Sequence, residues 1–287
     1  LSGAPTPSTS SAGTTNYYVA QNATLTDCEG PKTTITVTVS GTPVAPTVSD
    51  VSYCNNETAT ALTATASTGN TLVWYDASQT GITTPTPSTS SVGSVTYYVA
   101  QQTASGCEGP KSLVTVTINA LPVAPTATTA IAYCKDATAT ALTATASGSH
   151  TLVWYDTDGT TVLSGAPTPS TSSVGTTTYY VAQNNTLTSC EGPQTTITIT
   201  VNALPVAPTA TTTIDYCEDD AAVALSATAS SGHTLVWYGS DGTTVLSGAP
   251  TPSTSSAGTT NYYVAQNATL TDCEGPKTTI TVTVSGT

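Results

Sequence analysis

Residues 1–42 recur without a single change as residues 246–287, and this verbatim copy constrains the fold more than any motif. A periodic chain stacks one small structural unit several times, and the period identifies the architecture. Three strings reading PVAPT, beginning at Pro43, Pro122 and Pro205, set the register. The expected domains are residues 43–121, 122–204 and 205–287, with 1–42 as the C-terminal half of a truncated repeat. The separation from Cys54 to Trp74 returns from Cys134 to Trp154 and from Cys217 to Trp237, as a rigid frame requires. The first complete unit is slightly shorter, and its missing residues fall in stretches rich in Gly, Ser, Asp and Thr. Length changes confined there mark those stretches as loops.

Within a unit the apolar residues alternate. Leu62, Ala64 and Ala66 alternate with Thr63 and Thr65, and Leu72 and Trp74 with Val73 and Tyr75. Thr96 to Gln101 carries a pair of tyrosines, and Leu113 to Asn119 sets Val114, Val116 and Ile118 against Thr115 and Thr117. A period of two is that of half-buried strands, and no stretch shows a helical period. Units of about 80 to 100 residues with several such strands and regular turns are the signature of an immunoglobulin-like sandwich. The expected fold is all-β, in tandem immunoglobulin-like β-sandwich domains, with Trp74, Trp154 and Trp237 in their structural cores. The strict alternation and the Trp and Cys frame argue against disorder in this Thr-rich chain. Little separates a last strand from the next PVAP, and its paired prolines restrict the backbone, so an elongated, semi-rigid rod is expected.

The chain has 17 acidic residues against four lysines and no arginine, a formal net charge of -13. That excess argues against nucleic acid or an anionic membrane as a partner. No apolar run is long enough to span a bilayer, so membrane insertion is not expected within these residues. Only 7% of residues are charged, so Thr and Ser must dominate the surface.

Each complete unit holds two cysteines, which suggests within-unit disulfides Cys54–Cys107, Cys134–Cys190 and Cys217–Cys273. Cys28 is then unpaired by truncation, its partner belonging to an upstream half unit. Such bonds imply an oxidising, extracellular setting, and units this small, without Phe or Met, need the help. A zinc site is not expected: there is no CxxC, and His150 and His233 replace Asn70 before the LVWY strand, as turn residues.

The residues offer little chemistry. All 14 tyrosines and three tryptophans fall at repeated frame positions, which weighs against a dedicated recognition site. Successive strand residues point to opposite faces, so Tyr75 beside Trp74, and Tyr97 beside Tyr98, should leave some aromatic surface in every unit. A multivalent carbohydrate-binding array is therefore the rival reading. Acidic groups at Glu218, Asp219 and Asp220, and at Asp156 and Asp158, are candidate calcium ligands, but other units lack them, which favours solvated turns. Asp158-Gly159 and Asp241-Gly242 are hairpin-turn signals in their own right. No unit joins a nucleophile to a His base and an orienting acid. Neither catalytic residues, a metal nor a cofactor is expected.

The order YC, ALTATAS, LVWY, TPTPSTS, TTYYVAQ, CEGP and TITVTVN resembles the immunoglobulin-like repeats of giant Bacteroidota cell-surface adhesins, of which the SprB-type gliding-motility adhesins are the best known. The resemblance covers the whole chain. It implies export by type IX secretion and a filament attached to the outer membrane through regions not present here. It also implies a stalk acting in adhesion and gliding, with partners in adjacent repeats, the gliding or secretion machinery and surface polysaccharide. A spacer in a secreted polysaccharide-degrading enzyme is the further alternative. Unlike antibody domains, the second cysteine follows YYVAQ by several residues, so its bond would tie the segment before the second strand to the last loop or strand.

Overall fold

A computed structural model describes residues 3–286. Leu1, Ser2 and Thr287, which complete the copied segments, lie outside the described residues. The chain divides into two compact units, one ending at Leu121 and the other beginning at Pro122. The first holds the partial repeat and repeat 43–121; the second holds repeats 122–204 and 205–287.

Every complete repeat is built on one five-stranded sheet. In repeat 122–204 its order is Val162–Leu163, His150–Tyr155, Gly175–Asn185, Thr195–Asn202 and Ala130–Cys134. The first four pair antiparallel, whereas the lead-in strand Ala130–Cys134 runs parallel to the last strand, with Cys134 opposite Asn202. The same register sets Cys54 opposite Asn119 and Cys217 opposite Ser285. The parallel pairing places the first cysteine of each unit at the pole where the last strand ends.

The inward face carries the alternation. Val114, Val116 and Ile118 are buried in repeat 43–121, where Leu62, Trp74 and Val99 complete the core. Trp154 and Trp237 occupy the same place in the other two clusters. Tyr97 packs at the margin of the first core while Tyr98 points the other way.

The opposite layer departs from the sequence expectation. ALTATAS was expected as a strand, yet in repeats 122–204 and 205–287 it pairs only at Ala144–Thr145 and Ala227–Thr228, each with two residues following PVAP. In repeat 43–121 the pairing shrinks to the bridge Thr47 to Thr65. The reason is the neighbour on its other side, TPTPSTS. Prolines supply no ladder donor, so that segment stays extended, turns Pro85 and Pro87 inward and accepts the Leu62 amide at the Pro85 carbonyl. Leu62, Leu142 and Leu225 are nevertheless buried, so the alternation predicted the inward face correctly without a ladder to carry it.

Candidate functional site at the joint between repeats

The PVAP string that opens each repeat is tied down to the body of that same repeat. In repeat 205–287 the amide of Gln266 donates to the Val206 carbonyl at 2.7 Å, while its Oε1 accepts from the Ser230 amide at 2.7 Å. Gln183 repeats this with Val123 (2.6 Å) and Ser147 (2.8 Å), and Gln101 with Val44 (3.0 Å) and Ser67 (2.6 Å). These three glutamines are the fully buried polar side chains among the described residues. A hydroxyl on the last strand adds a further tie: Ser112, Thr195 and Thr278 each donate at 2.6 Å to the carbonyl of the second PVAP proline.

The CEGP loop closes over the first proline. A Cβ on Gly109, Gly192 or Gly275 would stand 2.1, 2.3 or 2.4 Å from the carbonyl oxygen of Pro43, Pro122 or Pro205. Only glycine lets the two backbones approach so closely. The adjacent glutamate orients the loop from its other side. Tyr155 donates to both carboxylate oxygens of Glu191, at 2.5 and 2.6 Å, and Tyr75 and Tyr238 donate to Glu108 and Glu274. The hydrogen bond to Glu108, with burial, pushes the Tyr75 phenol up to about 12. Burial first, then the glutamate, pushes Tyr155 and Tyr238 up to about 12.

The expected aromatic display on this outer face is correspondingly reduced. Tyr155 and Tyr238 are buried, and the ammonium groups of Lys111 and Lys277 cover the rings of Tyr75 and Tyr238 at 3.4 and 3.5 Å. Gln194, which replaces the lysine in repeat 122–204, donates to the Gly159 carbonyl just as Lys277 donates to that of Gly242.

The CEGP-loop cysteine of repeat 205–287 reaches out of its own repeat. Cys273 of repeat 205–287 bonds Cys134 of repeat 122–204, with a Cα separation of 5.5 Å. This overturns the within-unit pairs Cys134–Cys190 and Cys217–Cys273; Cys107 and Cys217 are free thiols, so Cys54–Cys107 is not formed either. The physical reason is the parallel lead-in strand. It carries the first cysteine to the pole where the last strand ends, whereas the CEGP loop precedes that strand at the opposite pole. From Thr195 to Asn202 the strand climbs seven steps, roughly 23 Å, far beyond the span of a disulfide. Cys28 is an exposed free thiol.

The acidic candidates serve turns. Asp220 accepts from the Cys217 amide at 2.7 Å, as Glu57 does from Cys54, and Asp219 takes the left-handed conformation also seen at Asn56 and Asp136. Asp158 accepts from the amides of Thr160 and Thr161 and from the Thr161 hydroxyl. That hydroxyl first, then the amides, hold its carboxyl well below the usual carboxylate range, and Thr244 does the same for Asp241. Gly159 and Gly242 follow with positive φ, as the hairpin turns demand. His150 and His233 sit at the start of the tryptophan strands, their Nδ1 atoms beside the carbonyls of Ser147 and Ser231.

Residues 43–120, 122–203 and 205–285 each match one family, described as Ig-like domain CHU_C associated. The chain belongs to this Ig-like domain family. No curated protein sequence matches it. Solved structures similar to the chain include the I-band fragment I67–I69 from titin, at 13% identity and a TM-score of 0.33, covering 84% of this chain and 97% of that one. Sidekick-1 immunoglobulin domains 1–5 are similar at 16% identity and a TM-score of 0.29, covering 98% and 68%. Drosophila N-cadherin EC1-4 is similar at 8% identity and a TM-score of 0.22, covering 84% and 75%. The CHU_C-associated match therefore carries the assignment, together with the sheet topology. Its three segments each begin at the first proline of PVAP, so each Ig-like domain begins with the residues that form its joint.

Proposed function

We propose that these Ig-like domains form a non-enzymatic structural stalk of a very large, repetitive cell-surface adhesin that serves adhesion and gliding. The bond between Cys134 and Cys273 is the observation that carries the reading, because it couples two successive domains covalently, and the PVAP string that opens the second is itself held to that domain's body. A stalk needs force to pass between domains; a catalytic or ligand-binding domain has no such need. The polar side chains buried most deeply hold the PVAP lead-in of their own repeat, not a cleft, which supports the same conclusion. A structural disulfide supports an oxidising location outside the cytoplasm. The resemblance of the residue order to that of gliding adhesins supports type IX export and attachment through regions outside these residues, with surface polysaccharide met elsewhere in the parent protein.

Antibody raised against residues 122–286 should label the outside of intact source cells, and deletion of the gene should abolish attachment and gliding. Label confined to the cell interior, or gliding undisturbed by the deletion, would sink the proposal. Binding of this protein to a glycan array would favour the carbohydrate-binding alternative.

A further inference from the structure

We infer that the Cys134–Cys273 bond is one rung of a regular series, in which the lead-in cysteine of each repeat bonds the CEGP-loop cysteine of the next. Cys217 and Cys107 are then half-sites, for the CEGP loop of a following repeat and the lead-in cysteine of a preceding one.

Three observations carry this. The lead-in cysteines are equivalent, since Cys54, Cys134 and Cys217 each stand opposite the final residue of their own last strand, and the amide of the next residue donates to that residue's carbonyl at 2.8 to 2.9 Å. The loop cysteines are equivalent too. The carbonyls of Cys190 and Cys273 accept at 2.9 and 3.0 Å from the amides of Asn185 and Ala268, and in a loop one residue shorter that of Cys107 accepts from Thr103 at 3.0 Å, so the same closing bond presents all three. Third, the Cys107 thiol lies 4.0 Å from the carbonyl oxygen of Ser40. Ser40 follows the last strand of the partial repeat and corresponds to Asn202, the residue opposite Cys134. The loop thiol thus reaches the preceding repeat's strand end even where no lead-in strand lies alongside. The reach belongs to the joint and does not depend on the bond.

Each rung forms when one thiolate attacks a disulfide oxidant, such as oxidised glutathione or an oxidoreductase disulfide. The second thiolate then displaces that reagent from the mixed disulfide. Two thiols lose two protons and two electrons, and the oxidant leaves as two reduced thiols. The pairing stands or falls independently of any role in adhesion.

The test is disulfide mapping of the 287-residue protein oxidised with glutathione, denatured without reductant, alkylated, and cleaved after glutamate and aromatic residues. A linked peptide Cys134–Cys273 is expected, with alkylation at Cys28, Cys107 and Cys217. Peptides linking Cys54 to Cys107 or Cys134 to Cys190 would overturn the inference. In a second arm, a further copy of residues 205–287 is appended after Thr287. Cys217 should lose its alkyl label and join the loop cysteine of the added copy; an alkylated Cys217 in the folded, extended protein would equally overturn it.

Discussion

Gln266 holds two segments at once, and neither partner has a substitute if the amide is removed. Gln266→Leu leaves the Val206 carbonyl and the Ser230 amide without their buried partner. A loss of about 1–3 kcal/mol per stranded group is expected, read as a lower urea midpoint for repeat 205–287. The sequence held a signal for this residue. Tyr97, Val99 and Gln101 share one face of a strand, so a glutamine stands in line with core residues. Its partner was illegible, because Val44 lies 57 positions away. The tyrosines of the CEGP clamp give a pH dependence. A phenol raised from 10.0 to about 12 in the fold contributes stability that is complete below pH 10 and lost as pH rises towards 12. Tyr155→Phe should therefore flatten the alkaline loss of stability of repeat 122–204 between pH 10 and 12. Parallel alkaline melts of the two proteins would refute the assignment.

At the scale of elements, the two halves of a repeat obey their local periods to different degrees. Ser112–Asn119 alternates and forms a full ladder, because its neighbours on both sides can donate and accept. ALTATAS alternates as strictly but lies beside a proline-rich segment, so it buries Leu62 with almost no ladder. Period two reports which face is buried; the partner strand decides whether a sheet forms. The CEGP loop is the element most sensitive to volume. Gly275→Ala puts a methyl 2.4 Å from the Pro205 carbonyl, forces the lead-in segment away and should cost about 1–3 kcal/mol. Gly165→Ala, where nothing lies within 4 Å, is the control and should stay within about 0.5 kcal/mol of the wild type in the same urea titration.

Across the whole molecule, the cross-link makes the stability of one Ig-like domain depend on the next. Cys134 and Cys273 are 139 residues apart, and closing such a loop is worth about 5 kcal/mol in the chain-entropy model. Cys273→Ser should speed hydrogen exchange in both Thr195–Asn202 and Thr278–Ser285. An effect confined to the second strand would mean that the bond stays within one repeat. The repeat register, the all-β class, the inward faces and the buried tryptophans were determined by sequence alone, because each follows from local period or from self-similarity. Cysteine pairing was not, since equal numbers of cysteines per unit fit within-unit and between-unit bonds alike. The direction of a four- or five-residue strand chose between them. Burial shows the same limit in the segment that occurs twice. Val264 and Ile280 are fully buried, whereas the identical Val19 and Ile35 are 53% and 49% exposed. The first pair packs in a cluster with Leu225 and Trp237, which the partial repeat lacks. Identical residues thus differ in burial because burial depends on which distant segments fold against them, and only the tertiary structure assembles those.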